Sequence, residues 1–129
     1  MVRLGIAVLA LTVALVATSL AATWSSGAYN GRTSQGLAVV LVAKGHVLKR
    51  IHVRTKTNCA TSFPIDYGGK GAPIHHDGRF SIRETASNLV LTASGRFAGR
   101  RVSGRLRYRE THPSGKVCDT GSVHFRAGR

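Results

Sequence analysis

Beyond residue 22 the chain alternates apolar and polar positions with a period of two, broken at glycines, and shows no helical spacing of apolar residues. That pattern predicts strands. Leu37 to Ala43 is an uninterrupted apolar run, the signature of a strand covered on both faces. Lys44-Gly45 reads as a two-residue turn into a return strand from Val47 to Lys56. Before it, Trp24 to Gly36 is rich in Gly, Ser and Thr and reads as lead-in coil with a short strand around Tyr29. Asn58 to Pro73 holds two Pro and three Gly and reads as a long loop. Ile74 to His76 and Arg79 to Thr85 flank Asp77-Gly78, a pair favoured in type I′ hairpins. Leu89 to Phe97 and Arg101 to Glu110 form a hairpin around Gly99, and Thr111 to Gly115 leads into a last strand, Lys116 to Arg126. The expected fold is all-β, an antiparallel meander of about seven to eight strands closed as a small barrel or a two-sheet sandwich.

The first residues set the compartment. Met1-Val2-Arg3 is a short positive lead, Leu4 to Ala22 is uncharged, and Ser19-Leu20-Ala21 has the small-x-small form of a signal-peptidase site. A retained anchor is the alternative, since the uncharged stretch approaches bilayer-spanning length. The crowding of small residues at its end and the lack of a basic stop-transfer cluster favour cleavage. The expected organisation is a signal peptide over 1–21, a lead-in over 22–36, a single β domain over 37–126 and a short tail over 127–129. Secretion or envelope association follows, with no transmembrane segment after cleavage. In an exported chain the pair Cys59 and Cys118 reads as a disulfide, one that closes a long loop.

A short motif recurs: Gly78-Arg79-Phe80, Gly95-Arg96-Phe97 and Gly104-Arg105-Leu106 each place Gly and Arg before a large apolar residue. Gly permits a bend, and the residue two positions on plugs the core. Together with Gly27-x-Tyr29-x-Gly31-x-Thr33-Ser34-Gln35, Gly99-x-x-Val102 and Cys118-x-Thr120-Gly121-x-Val123-x-Phe125, these segments resemble small exported proteins of unknown function from high-GC Gram-positive bacteria. The resemblance runs from about Gly27 to Phe125. It implies a β-rich exported module with its two cysteines joined, and it implies no activity.

Charge adds the one feature that points to a partner. The chain has 19 Lys and Arg against five acids, a formal charge of +14, and loss of Arg3 with the leader leaves 18 against five, or +13. Most of the cations are Arg, and codon bias in a GC-rich genome is a bland explanation for that. Within Arg101 to Glu110 the odd positions carry Arg101, Arg105, Arg107 and Arg109, so four guanidinium groups should line one face of one strand. On the return strand Leu48, Arg50, His52, Arg54 and Lys56 form a second set. Arg50, Arg54, Lys56, Arg101, Arg105, Arg107 and Arg109 are therefore the candidate anion-binding patch, fitted to anionic cell-envelope polymers or acidic surfaces. Sequence-specific nucleic-acid recognition is not expected, because stacking aromatics are few and none alternates with the stripe.

Two rival classes remain. His75-His76-Asp77 suggests a metal, but adjacent strand residues point to opposite faces, and no cofactor or metal ligand set is assigned. Glu84 and Glu110 are the candidate carboxylate pair of a small hydrolase or metal-dependent protein, although no nucleophile elbow or zinc-helix motif is present. No catalytic residue is assigned. The loop from Ala60 to Pro73 is the candidate surface for a protein-binding or inhibitor module.

Overall fold

The computed structural model describes residues 23–59 and 62–129, and the expected signal peptide lies outside them. Ten strands are formed: β1 (Gly27–Thr33), β2 (Ala38–Lys44), β3 (Val47–Thr55), β4 (Phe63–Tyr67), β5 (Ala72–Pro73), β6 (Arg79–Ala86), β7 (Leu89–Ala98), β8 (Arg101–Thr111), β9 (Val117–Asp119) and β10 (Val123–Gly128). They pair antiparallel in one curled sheet of order β4-β3-β2-β1-β10-β8-β7-β6, with β5 added to β3 and β9 to β8. Two meanders are thus joined at their terminal strands, where Asn30 faces Gly128 and Thr33 faces Phe125. The all-β expectation holds, and the architecture is a half-barrel made from a single sheet.

The strand count exceeds the expectation for local reasons. The segment read as a loop from Asn58 to Pro73 contains β4 and β5. Pro64 is tolerated there because β4 is an edge strand. The last strand is split at Thr120–Ser122 into β9 and β10, both running along β8. The short strand expected at Tyr29 is a seven-residue strand in the centre of the sheet. The turn at Asp77-Gly78 is not type I′, because Gly78 alone has a positive φ, 87°. The Asp77 carboxylate accepts the Arg79 backbone N–H at 3.0 Å, and Gly78 N–H closes onto the His75 carbonyl at 2.8 Å. The turn from β2 to β3 is centred on Gly45 and His46, one residue later than expected.

The concave face holds the core. Tyr29, Leu41, Leu48, Val53, Phe97, Val102, Val123 and Phe125 are all but inaccessible to solvent. Phe80, Phe97 and Leu106, the plugs of the repeated Gly-Arg-apolar motif, are buried as that motif implied. One row across the sheet explains its curvature: Phe80, Gly95, Gly104 and Phe125 stand opposite one another on β6, β7, β8 and β10. The Phe rings occupy the space that the glycines leave. A Cβ at Gly95 would lie 2.9 Å from Phe80, and one at Gly104 would lie 2.8 Å from Phe125. Trp24 covers one end, donating from Nε1 to the Gly45 carbonyl at 2.8 Å and packing on Phe97.

Cys59 and Cys118 are joined, their Cα atoms 5.4 Å apart. The bridge ties the β3–β4 connection to β9. Asn58 reinforces it, accepting from Asp119 N–H at 2.8 Å and donating to the Val117 carbonyl at 3.2 Å. Closing a loop of this length stabilises the fold by roughly 4 kcal/mol in the chain-entropy account. Among the described residues no helix is long and apolar enough to cross a membrane.

Candidate anion-binding face

Period-two alternation sends every second side chain of the sheet to its convex face. On β8 these are Arg101, Ser103, Arg105, Arg107 and Arg109, all exposed, while Val102 and Leu106 are buried between them. The expected stripe is present. Its neighbours extend it sideways. Ser103 stands opposite Arg96 on β7 and Arg126 on β10. Arg96 in turn faces Arg79 on β6, and Arg126 faces Arg32 on β1. The row Arg32–Arg126–Ser103–Arg96–Arg79 crosses five strands, about 19 Å at ordinary strand spacing. Beside it run His124, Arg105, Ser94 and Ser81, and then Arg107, Thr92 and Arg83.

The second expected set lies elsewhere. Arg50, Arg54 and Lys56 are exposed, but β3 is four strands from β8 in the sheet order. Between them β2 presents Ala38, Val40 and Val42 on the same face, an apolar gap in the positive field. The structure therefore places the two sets on one convex face without bringing them together. Leu48, expected beside Arg50, is fully buried instead. The cause is a bulge: Val42 pairs with Arg50 and Ala43 with Leu48, so Lys49 is an extra residue that shifts the alternation.

All five acids can be located, and they sort the arginines. Arg50 makes a forked contact to Asp66 at 2.9 and 2.7 Å, holding the Asp66 carboxyl below its usual range and raising the guanidinium above its own. Arg107 makes a similar fork to Asp119 at 3.1 and 2.6 Å, and Arg109 approaches the same carboxylate at 4.0 Å. The Arg107 hydrogen bonds, helped by the Gly121 N–H, lower the Asp119 carboxyl against the opposing effect of burial. Asp77 accepts the Arg79 backbone N–H, which lowers it, and its carboxylate lies 3.6 Å from Arg79 Nε. The Arg54 guanidinium donates to Ser62 Oγ at 3.3 Å, and the Lys56 backbone is pinned by Gln35 at 2.8 Å. Arg32, Arg83, Arg96, Arg101, Arg105 and Arg126 form no ion pair with any carboxylate of the described residues.

Glu84 and Glu110 sit on the concave side, at the open seam between β4 and the β6–β8 sheet. Glu110 accepts from Tyr108 Oη at 3.1 Å. Burial first, then this bond, raises the Tyr108 hydroxyl above its usual range; burial, and next the Glu84 charge, raises Tyr67 similarly. Glu84 faces Leu91, which faces Tyr108, so the two carboxylates stem from positions two strands and two residues apart, about 12 Å between their backbones. Among the described residues no three His, Cys, Asp or Glu side chains gather as a metal site.

No family model matches the chain, nor does any curated protein or solved structure. The chemistry must be read from the face itself. Sequence reasoning found one strand of it and missed Arg32, Arg79, Arg83, Arg96, Arg126 and His124. For Arg79 and Arg96 the missed signal was the Gly-Arg-apolar motif. If the apolar residue plugs the core, the Arg before it must point outward, as Arg79, Arg96 and Arg105 do.

Proposed function

We propose that this protein is an exported, non-enzymatic binding module whose convex cationic face holds anionic polymers of the cell envelope or its surroundings. The observation that carries this reading is the row Arg32–Arg126–Ser103–Arg96–Arg79, in which two Arg–Arg pairs stand directly opposite one another across strands. Like charges in that relation are destabilising, and an anionic chain laid across the strands relieves them. The acids neutralise Arg50 and Arg107 but leave most of this row open to a ligand. Export is supported by the leader pattern and agrees with the Cys59–Cys118 bridge.

A polyelectrolyte contact releases counterions, so affinity falls steeply and log-linearly with salt. The test is binding of the oxidised protein to a soluble polyol phosphate and to a polyuronate over a salt series. A linear decline whose slope corresponds to about five or more contacts supports the reading. Failure to bind either polymer at low salt, or affinity indifferent to salt, rejects it. Export is tested separately by N-terminal sequencing of the secreted form, which should begin at Ala22.

A further inference from the structure

Where β1, β10 and β8 meet, the convex face opens into a cleft of about 540 Å³. Arg32, Arg105 and Arg126 line it, with His124, Ser34 and Ser103. We propose that this cleft is a discrete seat for one phosphate group, carried as a free phosphomonoester or as a link in a phosphodiester chain. The inference rests on the polyanion reading and narrows it to one place and one chemistry.

One side of the site is fixed before any ligand arrives. Ser34 N–H donates to the His124 carbonyl at 2.7 Å, and Ser34 Oγ accepts from His124 N–H at 3.0 Å. This prolongs the β1–β10 pairing past Thr33 and leaves the Ser34 hydroxyl proton free to be donated outward. Arg32 is tethered by one Nη1 hydrogen bond to the Gly36 carbonyl at 3.1 Å, with its other N–H groups unspent among the described residues. Arg105 and Arg126 take no carboxylate partner among the described residues. Three guanidinium groups, a ring N–H and two hydroxyls offer more donors than the two oxygens of a carboxylate can accept. A tetrahedral phosphate, with its larger charge and additional oxygens, matches that set, and the planar fork of Arg suits it better than Lys would.

The experiment titrates the oxidised protein with inorganic phosphate, following backbone amide shifts and heat. The expected result is saturation at one phosphate per chain, with the largest shifts at Ser34, Arg105 and His124. Arg105→Ser with Arg126→Ser should weaken it by at least about tenfold, since charged hydrogen bonds are removed. Arg126→Lys keeps the charge and should still weaken phosphate severalfold. Arg79→Ser with Arg96→Ser should leave phosphate binding intact while weakening the polymer. A polyol phosphate should displace inorganic phosphate from the cleft at a markedly lower concentration than a polyuronate of equal charge does; a free monoester that binds where the polyol phosphate does not assigns the seat to chain ends. Non-saturating shifts spread over all the convex arginines, or equal losses in the two double variants, overturn the proposal. If the polymer still binds in that case, the face survives as a diffuse field. If neither polymer nor phosphate binds, the underlying reading fails as well.

Discussion

The ring of Phe125 lies over Gly104, its cross-strand partner, so closely that a Cβ on Gly104 would come within 2.8 Å of Phe125 Cζ. The same Cβ would lie 2.1 Å from the Ser94 carbonyl oxygen and 2.8 Å from Gly95 Cα. Here the sheet packs tightly onto its core. Gly104 and Phe125 also line the floor of the cleft beneath Arg105, Arg126 and Arg32. The close-packed core and the cationic cleft meet at the same two residues.

Gly104→Ala should therefore destabilise the protein by about 3 kcal/mol, because the added methyl meets backbone on β7 as well as a ring. Urea unfolding monitored by tryptophan fluorescence measures it. A change below about 0.5 kcal/mol would mean that the strands can part there without loss.

Asp119 is the acid whose environment is most developed, bonded by Arg107 and by Gly121 N–H, with only 21% of its side chain exposed. Its folded carboxyl titrates below the unfolded value of 3.8, so its stabilising effect is complete above that pH and is lost as the pH falls through the lower folded value. Asp119→Asn should cost about 1–2 kcal/mol near neutral pH and flatten the acid limb of the stability profile. It should also release Arg107 and tighten polyanion binding. Thermal unfolding between pH 2 and 7 and a polymer titration check the two halves separately.

Thr55 is fully buried on β3, and its hydroxyl finds no hydrogen-bond partner among the described residues. Thr55→Val keeps the shape and removes the desolvated oxygen. The expected result is a gain of about 0.5–1 kcal/mol, read as a higher Tm. A loss would show that the hydroxyl is satisfied in solution.

Cys59→Ser with Cys118→Ser should lower stability by about 2–5 kcal/mol while leaving the β-sheet circular dichroism signal in place at low temperature. Chemical denaturation of the oxidised protein and the variant compares them directly.

The residues differ in how openly they announce their places. Arg101, Arg105, Arg107 and Arg109 are legible because a period of two is a local rule, and the hairpin about Gly99 fixes where it starts. The Cys59–Cys118 pairing is legible because the described chain has no other thiol to choose. Leu48 misleads, because one extra residue at Lys49 reverses the alternation and nothing in the local pattern marks the bulge. The Arg32–Arg126 end of the row is hidden for a different reason. It depends on β1 pairing with β10, a contact between the two ends of the domain that no neighbouring residues specify. Strand existence is written along the chain, whereas strand order is decided by which apolar faces bury together.

The central claim is that polyanion binding belongs to the convex row rather than to net charge. Its most direct test compares two quadruple variants of equal charge across a salt series. One changes Arg32, Arg79, Arg96 and Arg126 to Ser; the other changes Lys49, Arg54, Lys56 and Lys70, on or beyond β3, to Ser. The account predicts that the first loses at least about a hundredfold in affinity at low salt, with a salt slope shallower by about three to four. The second should stay within about threefold of the parent protein, the residual effect of long-range charge alone. Equal losses in the two would contradict the account and return the arginine excess to composition.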